Sequence, residues 1–142
     1  LFGERRLAFV GDYSVSNVGY EREIHRDSDS RVIVFILYLN NLEDEVDGGG
    51  LQIHGCKTND QRYQSQPDSN SVYLAKEIKP GVGKFVMFLN TARSYHSVPK
   101  MSYSEFGRHF IYGALTLGSG ISTLARIKSK DKLPTEYFSY RG

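Results

Sequence analysis

Residues 32–39 read VIVFILYL, an uncharged run rich in β-branched and aromatic side chains. A run of this length and composition is a buried β-strand. Just upstream stand His25 and Asp27, two positions apart. In an extended chain, residues two apart point to the same side. An imidazole nitrogen and a carboxylate oxygen can therefore be aimed at one point. That pair suits a divalent metal of intermediate softness, with iron high in the order of fit. Three adjacent residues of a strand cannot all face one ion, so a third ligand has to come from far along the chain.

The rest of the sequence supplies more strands. Arg6 to Val10 is a short one, followed by a polar turn at Gly11-Asp12. Further strands are expected at Asn17 to His25, Arg31 to Asn40, Leu51 to His54, Ser71 to Ile78, Lys84 to Leu89, Tyr95 to Val98 and Arg108 to Leu115. Between them lie an acidic loop (Asn41 to Asp47), a bend at Gly48-Gly49-Gly50, a long polar loop from Cys56 to Ser71, and a turn at Lys79 to Gly83. Three successive glycines mean unusual backbone angles or a close approach of backbone to something else. Only a weak helix near Ser122 to Lys128 interrupts the pattern. About eight short strands separated by turn signals predict an all-β sandwich or barrel of the jelly-roll type.

With 142 residues the chain is expected to be one domain, 1–142, its core running from about 17 to 115 and a basic polar tail from 118 to 142. A net charge of +2 makes no case for nucleic acid or membrane. The single cysteine, Cys56, excludes an internal disulfide and is compatible with a reducing compartment. No apolar run is long enough to span a bilayer and no signal-peptide pattern is present, so a cytoplasmic location is expected. The first residue is Leu1 rather than Met, which leaves room for an upstream segment. The tail interleaves Arg126, Lys128, Lys130 and Lys132 with aromatic residues. A solvated face or a packed strand accounts for that better than nucleic-acid binding does.

Three histidines compete for the third ligand. His109 follows Arg108 within one strand, so the two point to opposite faces. His54, past the glycine bend, could approach a site. His96 is preferred because Arg108 follows it at the start of an apolar strand, and a guanidinium at the mouth of a barrel is a rigid fork for a carboxylate. Two histidines and one carboxylate on one face of a metal leave three positions open, as in non-haem Fe(II) oxygenases.

The ordered pieces His25-Arg26-Asp27, Tyr38-Leu39-Asn40, Gly49-Gly50-Leu51, Pro80-Gly81 with Phe85 and Phe88, His96-Ser97-Val98 and Gly107-Arg108 resemble the Fe(II)/2-oxoglutarate-dependent oxygenases, and most of all their prolyl-hydroxylase branch. The resemblance runs from about Asn17 to Leu115. It implies a double-stranded β-helix (cupin-like jelly roll). It implies that His25, Asp27 and His96 bind Fe(II), that Arg108 pairs with the distal carboxylate of 2-oxoglutarate, and that Tyr38 donates its hydroxyl to the same carboxylate. Arg31 matches a position near the substrate entrance. Arg22 stands where prolyl hydroxylases often carry a tyrosine, so both are candidates to meet substrate.

The implied activity is hydroxylation of an unactivated C–H bond, coupled to oxidation of 2-oxoglutarate by O2 to succinate and carbon dioxide, with ascorbate as supporting reductant. Asp27 favours hydroxylation over halogenation, since related halogenases have a small residue there. The substrate expected is a peptidyl residue such as proline, with a small molecule or amino acid as the alternative. A nucleic-acid demethylase of the same superfamily would usually carry a second arginine six residues after the first, and that position is Ala114. A catalytically inactive jelly-roll binding module is argued against by the intact set His25, Asp27, His96 and Arg108.

Overall fold

A computed structural model describes residues 7–42, 48–57 and 64–117. It contains eight strands: β1 (Leu7–Ser16), β2 (Arg22–His25), β3 (Arg31–Tyr38), β4 (Leu51–Cys56), β5 (Val72–Ile78), β6 (Phe85–Leu89), β7 (Tyr95–Val98) and β8 (Arg108–Leu117). They form two four-stranded sheets, β1-β8-β3-β6 and β2-β7-β4-β5. Every pairing is antiparallel. The fold is the expected all-β sandwich of jelly-roll type. The only helical element among the described residues is a 3-10 turn at Ser69–Ser71, where the Asp68 side chain accepts from the Asn70 amide. The weak helix expected near Ser122 to Lys128, the tail and the middle of the polar loop lie outside the described residues. No helix among the described residues is long and apolar enough to cross a membrane.

The alternation of side chains along each strand decides what faces the interior. On β3 the buried positions are Val34, Ile36 and Tyr38, and on β8 they include Arg108, Phe110 and Ala114. Ile36, Tyr38 and Phe110 from one sheet meet Leu51 from the other, with Ile53, Ile78, Val86, Phe88 and Tyr112 packed around them. This cluster ties the sheets together and forms the floor of the site. The outer face of the first sheet is also apolar: Phe9, Tyr13, Phe85, Met87 and Leu89 are exposed there.

Two expectations from sequence are corrected. Gly11-Asp12 is not a turn but the middle of β1, opposite Gly113 and Tyr112 of β8. The glycines serve close approach instead. A Cβ on Gly113 would lie 2.2 Å from the Phe35 ring, which stacks on Phe9 at 5.3 Å between centroids. The strand expected from Asn17 begins only at Arg22. Before it the chain turns, with Gly19 at a φ of 82° and its amide bonded to the Met101 carbonyl.

The glycine bend is used as its composition suggests. Gly48 and Gly49 have φ of 79° and 72°. A Cβ on Gly48 would stand 2.0 Å from the Lys100 carbonyl oxygen. The bend thus lies flush against the 99–100 backbone and leads directly into Leu51, 1% exposed at the core.

Candidate active site

β2 and β7 are paired so that His25 lies directly opposite His96. Both side chains face inward, with ring centroids 4.3 Å apart. His25 Nδ1 bonds the Glu23 carbonyl at 2.8 Å and His96 Nδ1 the Ser94 carbonyl at 3.0 Å. A carbonyl can only accept, so each Nδ1 carries a hydrogen and Nε2 is the nitrogen of each ring that can ligate. Burial holds the His96 imidazole below the usual histidine pKa, against the raising influence of the Ser94 carbonyl. The ring is neutral at pH 7, as a metal ligand must be.

Asp27 lies just past the end of β2 and is 7% exposed. Its Oδ2 is 3.6 Å from His96 Nε2. One donor atom from each of His25, Asp27 and His96 lies within 4.8 Å of the others. Two imidazole nitrogens and one carboxylate oxygen, converging from one side, make a set that could hold a divalent first-row metal.

The Asp27 carboxylate is itself held. Arg31 Nη1 donates to Asp27 Oδ1 and to the Tyr112 hydroxyl. The Tyr112 hydroxyl stands 3.0 Å from both Oδ1 and Oδ2. Burial, and after it the neighbouring Asp27 charge, raises the Tyr112 pKa, so the phenol stays protonated and donates.

These groups line a cavity of about 230 Å³ that also contains Arg108, Tyr20 and Ser14. Arg108 and Tyr112 both point inward from β8, four residues apart. The strand rise places their backbones roughly 13 Å from each other, so the two mark different parts of the cavity. Ile36, Leu51, Val98 and Phe110 supply its apolar wall.

Arg108 is 3% exposed. Its Nη1 donates to the Gly49 carbonyl at 2.5 Å and its Nη2 to Ser16 Oγ at 3.4 Å. The guanidinium lies over the Phe110 ring at 4.5 Å and the Tyr20 ring at 5.1 Å. Burial lowers its pKa, with Tyr38 and Tyr20 acting in the opposite direction. No carboxylate among the described residues forms a salt bridge with it. Its Nε and the Tyr38 hydroxyl have no hydrogen-bond partner among the described residues. Tyr38 is 0% exposed and belongs to the core beside the cavity rather than to its lining. Burial raises its pKa, which keeps the hydroxyl a donor. A buried cation and a buried hydroxyl with spare donors form an environment that an entering carboxylate would satisfy.

Of the two residues expected near substrate, Arg22 lines the cavity and also an adjoining groove of about 370 Å³ shared with His25, Glu21, Glu23 and Arg26. Arg31 also lines the cavity, its side chain 33% exposed, and there it grips Asp27. The rival histidines are elsewhere. His54 pairs with Tyr95, one step from the Ile53–His96 pair, and so projects from the other face, where its Nε2 meets Ser97 Oγ at 2.7 Å. His109 points outward from β8, with Nδ1 on the Tyr13 hydroxyl at 2.6 Å and Nε2 on the Phe106 carbonyl at 2.8 Å. Tyr112 and Tyr20 were missed from sequence. The signal for Tyr112 was its spacing: residues 108, 110 and 112 of one strand share a face.

The model of the 2OG-Fe(II) oxygenase superfamily matches residues 11–113, most of the chain and all of these groups. The chain belongs to this superfamily. Membership of the superfamily implies Fe(II) as the metal, with 2-oxoglutarate and O2 as co-substrates. A crystal structure of a prolyl-4-hydroxylase from Pseudomonas putida is similar in fold, with a TM-score of 0.54 and 20% identity over 78% of this chain and 52% of that one. The oxygenase chain thus spans about half the length of that relative. A structure of Bacillus endospore appendages, described as forming a family of disulfide-linked pili, aligns at 13% identity and a TM-score of 0.41 over 83% of this chain and 95% of that one. That likeness adds nothing to the assignment. No curated protein matches the chain.

Proposed function

We propose that the protein hydroxylates an unactivated C–H bond of a peptidyl residue such as proline, with His25, Asp27 and His96 holding Fe(II) and Arg108 binding the distal carboxylate of 2-oxoglutarate. The observation that carries this reading is the cavity itself. It brings a His/Asp/His donor set and a buried, carboxylate-free arginine into one enclosure.

The residues fit both groups. The paired Nε2 atoms and Asp27 Oδ2 supply nitrogen and oxygen donors of the kind Fe(II) takes. The spare donors at Arg108 Nε and Tyr38 suit a carboxylate. Fe(II) and 2-oxoglutarate, when bound, would activate O2, the oxidant: decarboxylation of 2-oxoglutarate to succinate and carbon dioxide would take up one oxygen atom, and the substrate C–H bond the other. The chain's own part is to orient and enclose. The Glu23 and Ser94 carbonyls fix the tautomers of His25 and His96. Phe88, 5.1 Å from the His96 ring, and the Ile36–Leu51–Phe110 wall limit water at the donor set. Arg22 and the groove beside His25 form the side from which substrate would reach the site.

The structure similar in fold is described as a prolyl-4-hydroxylase, which makes proline the residue to test first. Succinate formation tests the proposal. Fe(II), 2-oxoglutarate and ascorbate are expected to give slow succinate release that vanishes in His96→Ala and accelerates with a proline-containing peptide. Release unaffected by His96→Ala would refute the metal assignment. Acceleration by free amino acids but not by peptides would refute the substrate class.

A further inference from the structure

Asp27 is held more tightly than a metal ligand alone requires. Its Oδ1 is occupied by Arg31 Nη1 and also faces the Tyr112 hydroxyl. Its Oδ2 faces His96 Nε2 at 3.6 Å and meets only the neutral Tyr112 hydroxyl, at 3.0 Å. The two carboxylate oxygens are therefore unequal. One is spent on a charge-assisted bond; the other is turned toward the His96 imidazole.

Arg31 and Tyr112 also hold each other. Arg31 Nη1 donates to the phenol oxygen, and the guanidinium carbon lies 5.2 Å from the Tyr112 ring centroid. The phenol thus accepts from Arg31 and donates to Asp27. Arg31 opens β3, while Tyr112 stands on β8 opposite Ile36, so the hold is set by two neighbouring strands of the first sheet. The histidines come from the second sheet. Asp27 is the point at which the two sheets meet at the donor set.

We infer that Arg31 and Tyr112 are positioning residues that commit Asp27 to one-oxygen ligation through Oδ2. This rests on the reading of His25, Asp27 and His96 as the metal ligands. A carboxylate free to rotate could offer both oxygens to a metal and fill a position that 2-oxoglutarate or O2 needs. With Oδ1 tied to Arg31, it gives one oxygen and leaves that position open. Outer partners of this kind typically change metal affinity about 10- to 100-fold when removed.

Binding of Co(II) alone, followed by calorimetry and by the ligand-field absorption of the bound ion, tests the inference without turnover. Tyr112→Phe and Arg31→Gln are each expected to weaken Co(II) by about 10- to 100-fold and to shift its absorption. The double variant is expected to fall short of the product of the single effects, since both act on one carboxylate. Arg31→Lys, which restores a cation near Oδ1, is expected to recover part of the loss. Circular dichroism of the metal-free proteins reports folding. Should Tyr112→Phe fail to fold, the Arg31 pair carries the test, because that side chain is 33% exposed. Unchanged affinity and absorption in the variants, with wild type bound and His96→Ala not, would overturn the inference alone. Wild type that binds no Co(II), or binds it as well without His96, would overturn the ligand reading and the inference with it.

Discussion

Replacing Arg108 with methionine separates two effects that the structure sets against each other. In the metal-free protein the guanidinium is buried without a carboxylate, and a buried ion carries an effective desolvation penalty of several kcal/mol. Against this stand the bond to the Gly49 carbonyl, a charge-assisted contact of about 1.5–3 kcal/mol, and the two aromatic rings that face the cation. Relief of the penalty and loss of the contacts offset one another. Metal-free Arg108→Met is therefore expected to unfold within about 2 kcal/mol of wild type. Binding of 2-oxoglutarate behaves differently. Losing one partner of a buried charge pair costs about 2–5 kcal/mol, an affinity drop of roughly 30- to 5000-fold. In the presence of Co(II), 2-oxoglutarate at a hundred times its Kd stabilises wild type by about 2.7 kcal/mol. For a domain of this size that is a rise in Tm of roughly 10 °C. The rise should shrink to about 3 °C or less in Arg108→Met at the same ligand concentration. Tyr38→Phe should keep metal-free stability, because its hydroxyl has no partner to lose among the described residues, and should weaken 2-oxoglutarate less than Arg108→Met does. A full thermal shift in Arg108→Met would refute the reasoning.

Gly48→Ala would put a Cβ 2.0 Å from the Lys100 carbonyl at a φ of 79°. Left-handed backbone and overpacking together are expected to cost about 3 kcal/mol, read as a lower urea midpoint at unchanged slope; a loss under about 1 kcal/mol would contradict the contact. Burial lowers the His54 pKa below that of an exposed histidine. The unfolded chain therefore takes up the His54 proton first, so this contribution to stability is present above pH about 6.5 and is lost as pH falls toward the folded-state pKa. In chelator, His54→Gln should show a shallower loss of stability with acid than wild type, and parallel curves would exclude the effect.

Much of the architecture was legible in the sequence because strand alternation and turn chemistry are local. Tyr95–Val98 appears with the expected bounds and β3 within two residues of them. Gly11-Asp12 misled because glycine signals either a turn or a close approach, and only the partner strand, with Gly113 beneath the Phe35 ring, distinguishes the two. β6 was legible as a strand, but KFVMFL is apolar on both faces, so its inward side could not be read. At the site, the order of His25, Asp27, His96 and Arg108 along the chain was enough to single them out. That they share one cavity depends on pairings as distant as His25 with His96. Arg31 shows the limit most clearly. Its place at the head of β3 was evident, but its grip on Asp27 depends on how the chain turns between residues 28 and 30, where the Arg31 amide bonds the Ser28 carbonyl. Tyr112 depends on the register of β8 against β3, which sequence alone does not set.

The central claim is that one cavity holds a metal at His25, Asp27 and His96 and 2-oxoglutarate at Arg108. Calorimetric titration of 2-oxoglutarate into Co(II)-loaded protein under anaerobic conditions tests it most directly. One-to-one binding that requires Co(II) and is lost in both His96→Ala and Arg108→Met is the predicted result. Binding that is absent from the loaded wild-type protein, or that survives both substitutions, would contradict the account.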